Sequence, residues 1–157
     1  MSGWDEYRDY MLAGGKTSEA TIWDLQTGQL LSSNVLSENK KYTIKLPTDA
    51  DPEKEEDYEV DEITNLLQAI GNSGIPKARC GIRINNVKYF SVNFDEERRT
   101  WYLKRHGGGA CLVFTYKAIL FASWDQEKKQ EDGTPQNPGD CNKVVETLGQ
   151  QLIQAQY

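Results

Sequence analysis

Three groups of residues in this 157-residue chain could do chemistry: one imidazole, three thiols, and aromatic rings near the two ends. His106 is the only histidine, and it stands beside Arg105 in a predicted loop. Zinc sites draw on imidazole and thiolate, and a serine or cysteine nucleophile needs a base oriented by a third group. A catalytic His106 would have to take both nucleophile and orienting carboxylate from unrelated segments. Cys80, Cys111 and Cys141 are odd in number and about thirty residues apart. That spacing is neither a CxxC knuckle nor a disulfide framework, and it predicts reduced, buried thiols that pack as small hydrophobes.

Phosphate chemistry has no support in the chain. A nucleotide site wants GxxxxGK[ST] or GxGxxG between a strand and a helix. Gly107-Gly108-Gly109 instead joins two predicted strands and reads as a tight turn. Nucleic acid is disfavoured by the net charge of -6. That charge is concentrated: Asp49, Asp51, Glu53, Glu55, Glu56, Asp57, Glu59, Asp61 and Glu62 face only Lys54, a local balance of -8 that leaves +2 for the remainder. With Pro47 and Pro52 beside it, the block reads as a solvated loop or flexible insert over about 47–62. It is the wrong setting for a desolvated acid–base pair. The expectation is a binding protein with no cofactor rather than an enzyme.

The aromatic residues offer a different chemistry. Trp4 and Tyr7 sit three apart on a predicted first helix, and Tyr157 closes a predicted last one. If the two helices lie side by side, these rings line a groove suited to a polyproline II segment, which is preformed and loses little entropy on binding. The same periodicity also fits rings packed inward, and spacing alone does not separate the two.

The elements that would position these residues follow from local pattern. Trp4, Tyr7 and Met11 form one helical stripe, with Ser2 available as a cap and Gly14-Gly15 as a stop. Ala20 to Leu25 and Gln29 to Ser33 are strand-like around the turn Gln26-Thr27-Gly28, and Tyr42 to Leu46 alternates briefly. Helical spacing returns at Ile63, Leu66, Leu67 and Ile70. Five strand candidates then follow: Gly81 to Ile84, Val87 to Phe94, Thr100 to Lys104, Cys111 to Tyr116 and Ala118 to Trp124. Their connections are too short for crossover helices, so the sheet is expected to be antiparallel. A polar surface loop over about 127–138 precedes a last helix with Asp140 as candidate cap and Val144, Val145, Leu148 and Leu152 on one face. The whole predicts one α+β domain over 1–157. No run reaches the roughly 18 apolar residues of a membrane helix, and Asp5, Glu6 and Asp9 occupy the place of a basic signal-peptide start. A cytoplasmic location is expected.

The opening Trp4-Asp5-Glu6-Tyr7 is similar to the profilin Trp-x-x-Tyr start, and the segment from Pro138-Gly139-Asp140-Cys141-Asn142 to Gln151-Leu152-Ile153 closely resembles the C-terminal helix of plant-type profilins. Lys88-Tyr89, Gly107 to Ala110 and Ala118 to Phe121 fall in the order of that family's sheet, while the acidic insert and the Lys128 to Gln136 loop are additions. The resemblance implies a central antiparallel sheet with the N- and C-terminal helices packed together on one face and a shorter helix on the other. It implies a cytoskeletal protein that binds monomeric actin and proline-rich segments of filament-assembly factors such as formins. A proline-peptide adaptor without useful actin affinity is the alternative. By resemblance the proline site comprises Trp4, Tyr7 and Tyr157, with Leu152 beneath. The family's second groove tryptophan falls at Leu31, and the aromatic or histidine of its last helix at Gln151. The implied actin face comprises Lys88, Arg105, Gly139, Asn142 and Lys143, with Ala78 and Arg79. Leu103 and Asn93 stand where many members carry arginine. Phosphoinositide binding, reported for the family, would fall on Arg98, Arg99, Lys104 and Arg105, and the acidic insert opposes an anionic membrane.

Overall fold

The computed structural model describes residues 3–157. The predicted cap Ser2 lies outside the described residues. A first helix, α1 (Trp4–Leu12), runs into a 3-10 turn at Ala13–Gly15 and then into strands β1 (Glu19–Asp24) and β2 (Leu30–Ser33). Strands β3 (Lys41–Pro47) and β4 (Glu55–Asp61) form a separate hairpin that leads into α2 (Glu62–Gly71). The chain continues through β5 (Ile82–Ile84), β6 (Val87–Asp95), β7 (Thr100–Arg105), β8 (Gly108–Phe114) and β9 (Ala118–Asp125), and ends in α3 (Pro138–Gln154). The main sheet has the order β2-β1-β9-β8-β7-β6-β5, every pairing antiparallel.

Each face of this sheet carries its own core. Met11 of α1 and Cys141, Val145, Leu148 and Leu152 of α3 pack on Ile22, Cys111, Val113 and Leu120. On the opposite face, Leu66 and Ala69 of α2 pack near Trp23, Trp101, Leu112 and Phe121. All seven residues of β8 are buried, because this central strand is covered on both sides. Its sequence is correspondingly apolar without alternation. The two-faced arrangement implied by the resemblance is present, and Cys80, Cys111 and Cys141 are free, buried thiols.

Three local expectations are corrected. The acidic block is not a loop throughout: Glu55–Asp61 is strand β4, paired residue for residue with β3. Period two sends Tyr58 and Val60 to one face and Glu55, Asp57, Glu59 and Asp61 to the other. There Lys45 lies opposite Asp57 and Lys41 opposite Asp61, ion pairs that offset the repulsion within the block. The loop proper is the 48–54 turn, closed by Thr48 N–H to Lys54 O at 2.9 Å. Secondly, Gly108 and Gly109 belong to β8 rather than to the turn. A Cβ on Gly109 would lie 2.6 Å from Leu103 O and 3.0 Å from Trp124 Nε1, so glycine here admits a close cross-strand approach and not a reversal. Thirdly, Asn137 caps α3, its side chain accepting from Asp140 N–H at 2.9 Å, and Asp140 sits in the first turn.

The polar segment between β9 and α3 is pinned from within. Gln136 is buried, accepts from Ser18 Oγ at 2.6 Å and Asp125 N–H at 3.0 Å, and donates to Gly15 O at 2.8 Å. Gln130 donates to Asp140 Oδ2 at 2.7 Å. Among the described residues, no helix is long and apolar enough to cross a membrane.

Candidate functional site

Two surfaces are built at the two ends of α3. At its C-terminal end, α1 and α3 bring the terminal rings together. The Trp4 ring meets Tyr7 edge-on at 5.7 Å between centroids and Tyr157 at 6.5 Å, with interplanar angles of 64° and 75°. Trp4 is half-buried, whereas Tyr7 and Tyr157 are 37% and 47% exposed. The stripe therefore divides: Met11 enters the core, and the two rings stay at the rim. Leu152 is buried beneath them, Leu31 packs half-buried against the same core, and Gln151 is exposed. The Ser32 hydroxyl donates to Asp5 Oδ1 at 2.5 Å and ties α1 to β2.

Tyr157 is fixed by its backbone. Its N–H donates to Leu152 O at 2.8 Å, and its carbonyl accepts from Lys117 N–H at 2.6 Å and Thr115 Oγ1 at 3.0 Å. Three hydrogen bonds thus hold the backbone of Tyr157 and restrict the placement of its ring.

At the other end of α3, its first turn and strands β6, β7 and β9 enclose a cleft of about 300 Å³ lined by Val92, Tyr102, Lys104, Trp124, Pro138 and Asn142. Trp124 lies across Gly109 and forms the base. Phe90 and Val92, both 61% exposed, extend an apolar surface along β6, and Lys88 Nζ stands 5.5 Å from the Phe90 ring centre. The Tyr102 hydroxyl donates to Glu146 Oε1 at 2.7 Å; burial and this carboxylate push its pKa up to about 12, so it remains a donor.

Of the residues predicted for the second surface, Asn142 lines the cleft, Gly139 and Lys143 are exposed in the first two turns of α3, and Lys88 continues the patch along β6. The Lys88 stem lies against Gly81, next to the segment that carries Ala78 and Arg79. Arg79 is engaged by the acidic hairpin: it pairs with Glu56 at 2.8 Å, donates to Pro47 O and stacks 5.6 Å over the Tyr58 ring. Arg105 is not brought to the cleft. It shares a cross-strand row with Gly108 and Asp125, on the sheet face opposite Lys104, and pairs with Asp125 at 3.6 Å. Leu103 is buried in the core on the α2 side and also borders the cleft beside its neighbour Lys104.

Sequence reasoning did not single out Phe90, Val92 or Trp124, and named Lys104 only for phosphoinositide binding. A signal for two of them exists: β6 has apolar residues of both parities, Val87 and Tyr89 against Phe90 and Val92. A strand near a sheet edge with two apolar faces has one left uncovered. His106 lies in the β7–β8 turn, and among the described residues no three or more His, Cys, Asp or Glu are grouped to hold a metal ion.

Comparison with known proteins gives a consistent result. The profilin family model matches residues 2–157. A profilin from Tetrahymena pyriformis is 41% identical over 160 residues, covering 100% of both chains. Among solved structures, Acanthamoeba castellanii profilin IA is similar with a TM-score of 0.67 at 24% identity, over 99% of this chain and 100% of that one. Mouse profilin IIa in complex with a double repeat from the FH1 domain of mDia1 gives 0.60 at 14%, over 99% and 100%. LokiProfilin2 in complex with rabbit actin gives 0.54 at 15%, over 98% of each chain. With a family match across nearly the whole chain and a full-length relative at that identity, the chain belongs to the profilin family.

Proposed function

We propose that this protein binds monomeric actin through the cleft at the N-terminal end of α3 and proline-rich peptide through the ring cluster at its C-terminal end, and that it regulates filament assembly in the cytoplasm. The observation that carries the reading is the placement of Trp4, Tyr7 and Tyr157 at one end of a 17-residue helix whose other end lines an exposed apolar cleft with a cationic rim. A helix of that length spans roughly 25 Å, so both ligands fit at once. Actin carried on one surface is held near any filament-assembly factor gripped by the other, and delivery gains from effective concentration. The groove has one ring fewer than the family pattern at Leu31 and another at Gln151, which favours longer proline tracts over short ones. The comparison structures solved with actin and with an FH1 repeat support this reading by their shared fold.

The test is a pair of titrations. Trp4→Ala removes the central ring and is expected to weaken a proline decamer about tenfold or more while leaving actin affinity intact. Val92→Asp and Lys143→Glu are expected to do the reverse. Actin affinity unchanged in both cleft variants would remove the cleft assignment, and proline affinity unchanged in Trp4→Ala would remove the groove.

A further inference from the structure

The ring cluster has a charged border that plain proline does not use. Lys117, in the turn between β8 and β9, is exposed and holds its ammonium 4.6 Å from the centre of the Tyr157 ring. Arg99 stands behind it. Its Nε and Nη2 donate to Phe114 O at 2.6 Å and Thr115 O at 2.9 Å, and its guanidinium lies over the Phe114 and Tyr116 rings at 4.5 and 5.2 Å. Thr115 in turn bonds the Tyr157 carbonyl, so the turn, both cations and the groove residue form one connected unit. Neither Lys117 nor Arg99 enters an ion pair among the described residues. Tyr116, under the Arg99 guanidinium, is 54% exposed.

We infer that this border makes the groove selective for proline-rich peptides that carry acidic residues directly beside the proline tract, with Lys117 as the specificity-determining residue. The inference rests on the proline reading above and refines its ligand class. Charge complementarity favours this occupant: two cations without a carboxylate partner, in a protein of net charge -6, lie at the edge of a surface suited to polyproline II. The ammonium is already seated on the ring by a cation–π contact, so a ligand carboxylate meets a pre-positioned charge. The polyproline helix advances about 3 Å per residue, so only residues adjoining the tract reach Lys117 while prolines cover Trp4 and Tyr157.

The experiment uses end-blocked peptides: a proline decamer, the same decamer with two aspartates at either end, and with two lysines at either end. Binding is followed by intrinsic tryptophan fluorescence at low and high salt. One of the two aspartate peptides is expected to bind about two- to fivefold more tightly than the plain decamer at low salt, and the gain should fade at high salt. Lys117→Gln should remove the gain, so that plain and aspartate-flanked decamers bind that variant equally well, and Lys117→Glu should shift preference to the lysine peptides. Equal affinity for plain and aspartate-flanked peptides, or an aspartate preference that persists in Lys117→Gln, overturns the inference while leaving the proline reading in place. Failure of every peptide to bind overturns both.

Discussion

Gly149→Ala tests how α3 is seated. An ideal Cβ at Gly149 would lie 2.4 Å from Val113 Cγ1, 2.9 Å from its Cβ and 3.2 Å from its Cγ2. Carbon atoms in good contact are about 3.5–4.0 Å apart, so helix and strand must separate by roughly an ångström at this point. Val113 is fully buried in the central strand β8, and a β-branched side chain has little rotamer freedom with which to move aside. Overpacking of this kind costs about 1–3 kcal/mol. The 2.4 Å approach against an immobile side chain places the cost in the upper half of that range, and alanine recovers about 1 kcal/mol in helix propensity, which leaves a net loss of about 1–2 kcal/mol. At about 2–4 °C per kcal/mol for a chain of this size, Tm should fall by roughly 2–8 °C by calorimetry. Because α3 carries Leu152 and the Tyr157 attachment, the groove should also lose its register, and proline affinity should drop with no groove side chain altered. Val113→Ala opens room for the new methyl, so the double variant should be more stable than the two separate losses predict, with a coupling of about 1 kcal/mol or more. A Gly149→Ala protein as stable as the parent, or a cycle with no coupling, would refute the close contact as the reason glycine stands there.

Burial raises the Cys141 thiol to about 12 and pushes Cys111 up as well. A raised folded-state pKa gives stability that is complete below the unfolded value of about 8.5 and is lost as pH climbs toward 12. Tm should therefore decline from about pH 9 upward, and less steeply in Cys141→Ala; an equal alkaline slope in that variant would contradict the assignment. Arg79→Ala removes the pair with Glu56 and the stacking on Tyr58. Hydrogen exchange in β3 and β4 should accelerate while the main-sheet amides and Tm scarcely change, and an unaltered hairpin would show that Arg79 does not fasten it.

Much of the fold was legible because its signals are local. The helical stripe of α1, the spacing of Ile63, Leu66, Leu67 and Ile70 in α2, and the short connections from β5 to β9 all reflect periodicity within a few residues. Strand β4 escaped because its charge density suggests solvation, whereas its pairing depends on lysines of β3 that lie opposite only once the hairpin has closed. Gly109 misled for a related reason: a glycine run signals a turn by composition, and the need for close approach is set by Trp124, on another strand. The ring cluster was readable from Trp4, Tyr7 and Tyr157. The cleft was not, because which face of β6 lies bare depends on how far α3 reaches across the sheet. Arg105 illustrates the limit, since one step along a strand exchanges the two faces.

A single rod with a different surface at each tip acts as a gauge block. The first turn of α3 borders the cleft at Pro138, and its last turn holds the seat of Tyr157 through the Leu152 carbonyl. Sliding the rod along its axis would misalign both tips together, so neither surface can be retuned by shifting the helix, and adaptation is confined to side chains at the tips. Dyes attached near each tip are therefore expected to keep a constant separation when actin or proline peptide is added.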